Sequence, residues 1–195
     1  TLTAPPPISH SCSRGRQTDR DQTETGRSTT KLDGSDRRYD PTNTAGAYYP
    51  NVLPERRIRL QATLAAVTYD VFHHYVEGWP QPWETPAYSE VPVVATDGFE
   101  ILAQAHLPAG TSYPEQLSGE RIAAMLDDID WPATARDLDP GKKRIQAAAA
   151  GGLDGADVLS LLFAVSDSEL GFVFLNGAGD LVFHDRHHRL FVPGT

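Results

Sequence analysis

The chain has 195 residues, 39% of them hydrophobic and 22% charged, with a formal net charge of −9. This is the composition of a folded protein, without any apolar run near the ~20 residues of a membrane-crossing helix. The acidic balance argues against a surface built to grip nucleic-acid phosphates, and a single cysteine, Cys12, excludes an internal disulfide framework and a thiolate zinc site.

The opening Thr1-Leu2-Thr3 lacks the basic and apolar regions of a secretory signal. Met125 is the only methionine, and the sequence reads as a segment of a longer product. Residues 1 to about 50 are polar and rich in turn formers, punctuated by Arg14-Gly15-Arg16, Gly26, Leu32-Asp33-Gly34-Ser35-Asp36 and Asp40-Pro41-Thr42-Asn43. Such a stretch is either disordered or made of short strands joined by long loops, with one strand expected at Gly26 to Leu32. It buries little by itself and is expected to order mainly against neighbouring subunits.

From Arg56 the pattern sharpens. Ile58, Leu60 and Ala62 alternate with Arg57, Arg59 and Gln61, the period of a half-buried strand. Tyr69 to Trp79 is a second strand, and Pro80, Pro82 and Pro86 turn the next stretch into a loop. Val91 to Thr96 and Phe99 to Ala105 flank Asp97-Gly98 and are expected to form a hairpin, with Pro92 at a sheet edge or strand start.

The second half changes period. Ile122, Met125, Leu126 and Ile129 mark a helix near 118–129, capped by Ser118 and ended by Trp131-Pro132. Val158, Leu161, Leu162 and Val165 mark another near 155–169, with Asp154 as its cap and Gly171 as its stop. Phe172 to Leu175 and Leu181 to Phe183 flank Asn176-Gly177-Ala178-Gly179, a hairpin over 172–183. The expected architecture is mixed β and α+β: a β-rich domain over 1–110, then a smaller α+β domain over 111–195 with two helices and a hairpin. The boundary falls near 107–115.

Several phrases, in this order, resemble the minor tail proteins of siphophages that infect actinobacteria. They are Ser13-Arg14-Gly15-Arg16-Gln17, Leu32 to Pro41, Tyr48-Tyr49-Pro50-Asn51-Val52-Leu53-Pro54, Arg57-Ile58-Arg59-Leu60, Tyr75-Val76-Glu77-Gly78-Trp79 and Thr96-Asp97-Gly98. The second half adds Ser118-Gly119-Glu120-Arg121-Ile122, Asp130-Trp131-Pro132, Arg136 to Gly141, Ser168-Glu169-Leu170-Gly171 and Gly179-Asp180-Leu181-Val182-Phe183. The helix, Glu-x-Gly and hairpin arrangement is also similar to a wider family of tail-hub proteins of phages and contractile injection machines. Asp33 to Arg38 and His73-His74 depart from the family's usual residues.

The resemblance implies a structural, non-enzymatic virion protein of the tail tip or baseplate hub. Its β-domain would be barrel-like and ring a channel that DNA passes without specific binding. Partners would be other copies of itself, three in a hub, and other tail proteins: tube or distal tail, tape measure and distal tip. No cofactor or metal is implied. Arg14 and Arg16 would press guanidinium groups on a neighbour, whose carboxylates suit Arg's planar fork. Tyr39, Tyr48, Tyr49, Arg57, Arg59 and Trp79 complete the candidate interface, since Tyr, Trp and Arg are enriched at such contacts. Tyr39 and the Tyr48-Tyr49 pair could equally fold back on their own domain.

Other residues invite chemistry. His184, His187 and His188 lie close to Asp185, but adjacent histidines such as His73-His74 point to opposite faces of a strand and do not share one ion easily. Asp127, Asp128 and Asp130 crowd a helix C-terminus, where the dipole disfavours them and a partner such as Arg136 is expected. No serine sits in a Gly-x-Ser-x-Gly elbow and no glycine run ends in the Lys-Ser/Thr of a phosphate loop. Two other readings stay open. Trp79, Trp83 and Trp131 could make a carbohydrate-binding β-module, or the chain could be a fragment of a tail-associated peptidoglycan hydrolase.

Overall fold

The computed structural model describes residues 5–16, 22–82 and 89–188. Pro86 and Trp83, and with Trp83 part of the sugar-platform reading, lie outside them. The chain is mostly β with a few helices and divides into two compact units. The first comprises Thr1–Gly15 with Glu24–Gly98, the second Arg16–Thr23 with Phe99–Thr195.

The first unit is built on five strands: β1 (Ser9–Gly15), β2 (Glu24–Asp33), β3 (Arg57–Leu64), β4 (Val67–Gly78) and β5 (Glu90–Thr96). They form an antiparallel sheet in the order β1-β2-β5-β4-β3. β1 and β3 are its outer strands, and no pairing joins them among the described residues. Pro92 sits in β5, opposite Lys31 of β2. It is tolerated because β4 pairs with β5 only from Val94 onward, leaving the other side of Pro92 without a ladder to break.

Two strands come from the N-terminal region, and β2 covers the Gly26 to Leu32 stretch where a strand is expected. Gly26, Ser28 and Thr30 are the buried positions of β2, and Leu32, next in the alternation, is half-buried against the core, so only one residue on this side of the strand is a large apolar one. The segment after β2 then folds back as a string of turns. Backbone N–H groups of Arg37, Asp40, Asn43, Gly46 and Tyr49 each donate to the carbonyl three residues earlier. Side-chain oxygens of Asp33, Asp36, Asp40 and Asn43 accept from the backbone two residues on, the usual way Asx residues fix a turn. The turns carry Tyr39 into a cluster with Val76, Val91, Val93 and Ala95.

The second unit opens with a correction. Asp97-Gly98 does not turn a hairpin: the chain leaves β5 and enters helix α1 (Gly98–Gln104). Phe99 and Leu102, three apart, are both fully buried while Ile101 is 40% exposed, which is helical and not strand spacing. The unit's core joins these two to Ile122, Met125 and Leu126 of α2 (Ser118–Asp128), Val158, Leu162 and Val165 of α3 (Val158–Glu169), and Trp131. Because α1 contributes to this core, the division between units lies at Gly98/Phe99, before the 107–115 stretch.

Four short strands complete it after β6 (Gln116–Leu117): β7 (Arg136–Leu138), β8 (Arg144–Ile145), β9 (Phe172–Leu175) and β10 (Leu181–His184). β9 and β10 are an antiparallel hairpin, β7 adds to β10 in parallel, and β6 pairs with β8. Asn176 shapes the hairpin turn, its Oδ1 accepting from the N–H of Ala178 and Asp180 at 2.9 Å each.

The helix ends differ from expectation. Ser118 does not cap α2, because its hydroxyl donates to Glu169; the Leu117 N–H is satisfied by Glu120 Oε2 at 2.9 Å instead. α3 is capped by Asp157, which accepts from Ser160 N at 2.7 Å, while Asp154 accepts from Gly110 N. Both helices end in a pair of backbone bonds around a left-handed residue that is not glycine. Asp130 (φ 56°) follows α2, with Trp131 N donating to Leu126 O and Asp130 N to Asp127 O. Leu170 (φ 57°) follows α3, with Gly171 N donating to Ser166 O and Leu170 N to Asp167 O. Gly171 is needed for a different reason: a Cβ there would lie 2.6 Å from His184 O.

Candidate functional site

The eight candidate interface residues separate into those folded inward and those left on the surface. Tyr39 is 3% exposed and lies parallel to the Trp79 ring at 5.9 Å between centroids, with Tyr48 at 5.3 Å on a tilt. Trp79 Nε1 donates to Leu53 O at 2.8 Å, and Gln81 Nε2 donates to Tyr39 O at 2.9 Å. These three aromatics therefore hold the string of turns onto the sheet, the fold-back alternative that the sequence leaves open.

Tyr49 is 47% exposed. Arg57 and Arg59 are exposed at alternate positions of β3. The guanidinium of Arg57 stands 5.6 Å from the Tyr75 ring, and Arg59 Nε is 3.7 Å from Asp70 Oδ1. Arg14 is exposed on β1. Arg16 counts with the second unit, where its guanidinium lies 3.9 Å above the Phe172 ring.

Two buried polar centres were not foreseen. In the first unit, His74 is 1% exposed and its Nδ1 is 2.8 Å from Ser28 Oγ. Phe72 lies against it and stacks in turn on His10, which bonds Thr30. Burial, helped by the charge of Arg14, holds the His74 pKa down at about 4, so the ring is neutral at pH 7. A serine–histidine pair can make a nucleophile only where substrate reaches it; Ser28 is 2% exposed, and this pair is closed on both sides.

In the second unit the fully buried Glu169 gathers four donors. Its Oε2 accepts from Ser118 Oγ at 2.7 Å, Lys143 N at 2.6 Å and Lys142 N at 3.1 Å, and its Oε1 from Arg186 Nε at 2.9 Å. Burial pushes the carboxyl up, but the hydroxyl, the two backbone amides and Arg186 outweigh it and hold it below its ordinary 4.5. The backbone packs closely around this centre: a Cβ on Gly119 would lie 1.9 Å from Asp139 O, and one on Gly141 1.9 Å from Ser118 Oγ. The phrases Ser118-Gly119-Glu120, Pro140-Gly141 and Ser168-Glu169-Leu170-Gly171 thus converge in space. Residue type alone carries no signal of that.

No protein-family model matches the sequence, and no curated protein does. Among solved structures, the E. coli c3393 protein matches with a TM-score of 0.54 at 14% identity, over 83% of this chain and 42% of that one. That protein is a type VI secretion system component described as structurally similar to the T4 bacteriophage tail proteins gp27 and gp5. The two share a fold. The 43 kDa tail protein of prophage MuSo2 from Shewanella oneidensis matches with a TM-score of 0.48 at 12% identity, over 89% of this chain and 53% of that one. The chain therefore spans about half the length, or less, of these solved proteins.

The remaining candidates find ordinary partners. Arg136 Nη1 meets Asp127 Oδ1 at 2.6 Å, the partner expected for the acidic helix end, and Tyr113 OH donates to Asp128 at 2.6 Å. Trp131 is 8% exposed and closes the core after α2. His184 and His188 stack 3.4 Å apart, and His188 Nδ1 is 2.8 Å from Asp139 Oδ2. Among the described residues no group of three His, Cys, Asp or Glu is arranged to hold a metal ion.

Proposed function

We propose that this chain is a structural, non-catalytic piece of a phage tail: part of the tail-tip or baseplate hub in a siphophage of the type that infects actinobacteria. It helps cap the tail tube, encloses the channel through which DNA leaves, and seats the distal host-recognition parts. Its partners are other copies of itself, three to a hub, together with tube, tape-measure and distal-tip proteins. It resides at the tip of the virion tail. The observation that carries this reading is the shared fold with a secretion-system component itself described as similar to phage tail proteins. The ordered phrases along both halves support it further.

The buried polar centres suit such a role. Glu169 and His74 are sealed from solvent and knit their units together, as expected where rigidity matters more than turnover. The net charge of −9 suits a wall that DNA slides past. The test is direct: mass spectrometry and cryo-electron microscopy of purified tails should find this chain at the tip, in a ring. Tails that lack it, with a strictly monomeric purified protein, refute the proposal. A zymogram in which the chain alone clears peptidoglycan refutes its non-catalytic part.

A further inference from the structure

The tip of the β3–β4 hairpin gathers three large hydrophobic side chains in solvent, Leu64, Val67 and Tyr69. From Leu60 to Tyr69 no residue is charged. Every residue from Gln61 to Asp70 is exposed, with Leu64 at 73%, Val67 at 50% and Tyr69 at 53%. The register pairs Ala62 with Tyr69 and Leu64 with Val67, which puts these four on one face of the ribbon. The other face is polar and satisfies itself: Gln61 Nε2 donates to Asp70 Oδ1 at 2.8 Å, and the Thr63 and Thr68 hydroxyls meet at 3.1 Å. The turn is Ala65-Ala66, at φ 49° and 67°, positions that a two-residue hairpin usually fills with Asn-Gly. The tip thus keeps two methyl groups at a cost in backbone strain.

β3 is also an outer strand of its sheet, so among the described residues one side of its backbone pairs with no other strand. At the base of this edge stand Arg57 and Arg59, the latter 50% exposed and held to Asp70 across 3.7 Å. The apolar face, the open backbone and the two cations share one strand.

We propose that β3 accepts an additional strand from a different polypeptide: an extended segment with apolar residues at alternate positions, uncharged where it meets residues 60–64 and carrying a carboxylate where it meets Arg57 or Arg59. Main-chain bonds supply adhesion in this mode, and the side chains supply selection. Charge separates this occupant from a second copy. Among the described residues the other outer strand, β1, reads Ser-His-Ser-Cys-Ser-Arg-Gly, with no apolar alternation and no carboxylate for the arginines. β3 set against itself supplies no carboxylate either. A bilayer fits less well, since the free strand edge and the polar face would enter hydrocarbon unsatisfied. The inference stands on the hairpin alone and survives if the tail-hub reading fails.

The test uses the full chain and two synthetic peptides of alternating valine and threonine, one ending in glutamates and the other in lysines. The glutamate peptide should bind and protect the backbone amides of Arg57–Leu64 from hydrogen exchange, and Leu64→Asp with Val67→Asp should weaken it roughly tenfold or more, about 1.4 kcal/mol. The double substitution Arg57→Glu, Arg59→Glu should invert the preference toward the lysine peptide, a reversal that misfolding cannot produce. Absence of protection in β3 with either peptide, or an unchanged preference in the double variant, overturns the proposal. So does self-association of the peptide-free protein that Leu64→Asp abolishes, which assigns the face to a second copy. Partition of the protein onto phosphatidylcholine vesicles overturns it in favour of a bilayer.

Discussion

Replacing Glu169 with alanine is expected to be the most damaging single change in the second unit. The carboxylate is fully buried and receives a hydroxyl, two backbone amides and a guanidinium. Alanine leaves all four donors without their acceptor. A buried donor left unpaired costs about 1–3 kcal/mol, and water entering near the exposed Lys142 and Lys143 recovers part of it. The expected loss is therefore about 3–5 kcal/mol, the range for breaking a buried ionic centre from one side. Glutamine keeps one oxygen but turns an amide N–H₂ toward another donor, and should cost about 2–3 kcal/mol. Ser118→Ala removes one donor of four and should cost about 1 kcal/mol. Urea unfolding followed by circular dichroism measures all three. Because Ser118 and Glu169 touch, their double mutant should lose less than the two singles added. A loss below about 1 kcal/mol for Glu169→Ala, or strict additivity with Ser118→Ala, would refute the view that this centre ties the unit together.

The same geometry carries other expectations. The first unit should lose stability as pH falls from 6.5 toward about 4. The His74 pKa is depressed in the fold, so the unfolded chain takes up the proton first; the stability present above 6.5 drains away below it, and His74→Phe should flatten a melting-temperature profile over that window. Glu169, whose pKa is also depressed, stabilises the second unit above 4.5 and ceases to do so as pH falls through its folded value. Gly119→Ala should cost about 3 kcal/mol or more in chemical unfolding, since its methyl would collide with Asp139 O, whereas Gly78→Ala, with nothing within 4 Å, should be tolerated far better. Ala66→Gly should raise the melting temperature, relieving about 1 kcal/mol of left-handed strain.

Legibility in the sequence followed periodicity. α2 and α3 announce themselves through Ile122, Met125, Leu126 and Val158, Leu162, Val165, because an amphipathic helix repeats its apolar positions with a fixed step. β3 and the Asn176–Gly179 hairpin are readable for the same reason. α1 is not: seven residues hold too few turns for the step to show, and Asp97-Gly98 imitates a hairpin turn while the Asp97 carboxylate accepts from Gly26 N at 2.6 Å. β2 is expected at Gly26 to Leu32 although its inward positions Gly26, Ser28 and Thr30 carry no apolar step, whereas β1, reading Ser-His-Ser-Cys-Ser-Arg-Gly, gives no such signal. Composition picks out tyrosines and arginines as candidate contacts but does not say which are already engaged at home. Tyr39 and Trp79 are engaged; Arg57 and Arg59 remain on the surface. The uncharged run from Leu60 to Tyr69 was present in the letters, but its exposure depends on how far the ribbon reaches past its neighbours.

Residues 16–23 group with the second unit although strands of the first flank them on both sides. During synthesis this early piece emerges before β2 to β5 exist, and its companions, such as Val173, which accepts from the Thr23 hydroxyl at 2.9 Å, are made far later. At ribosomal rates of about 10 residues per second the delay is many seconds. The residues it groups with have yet to be translated when it is made, so neither unit can be cut out as an uninterrupted length of gene without stranding part of the other.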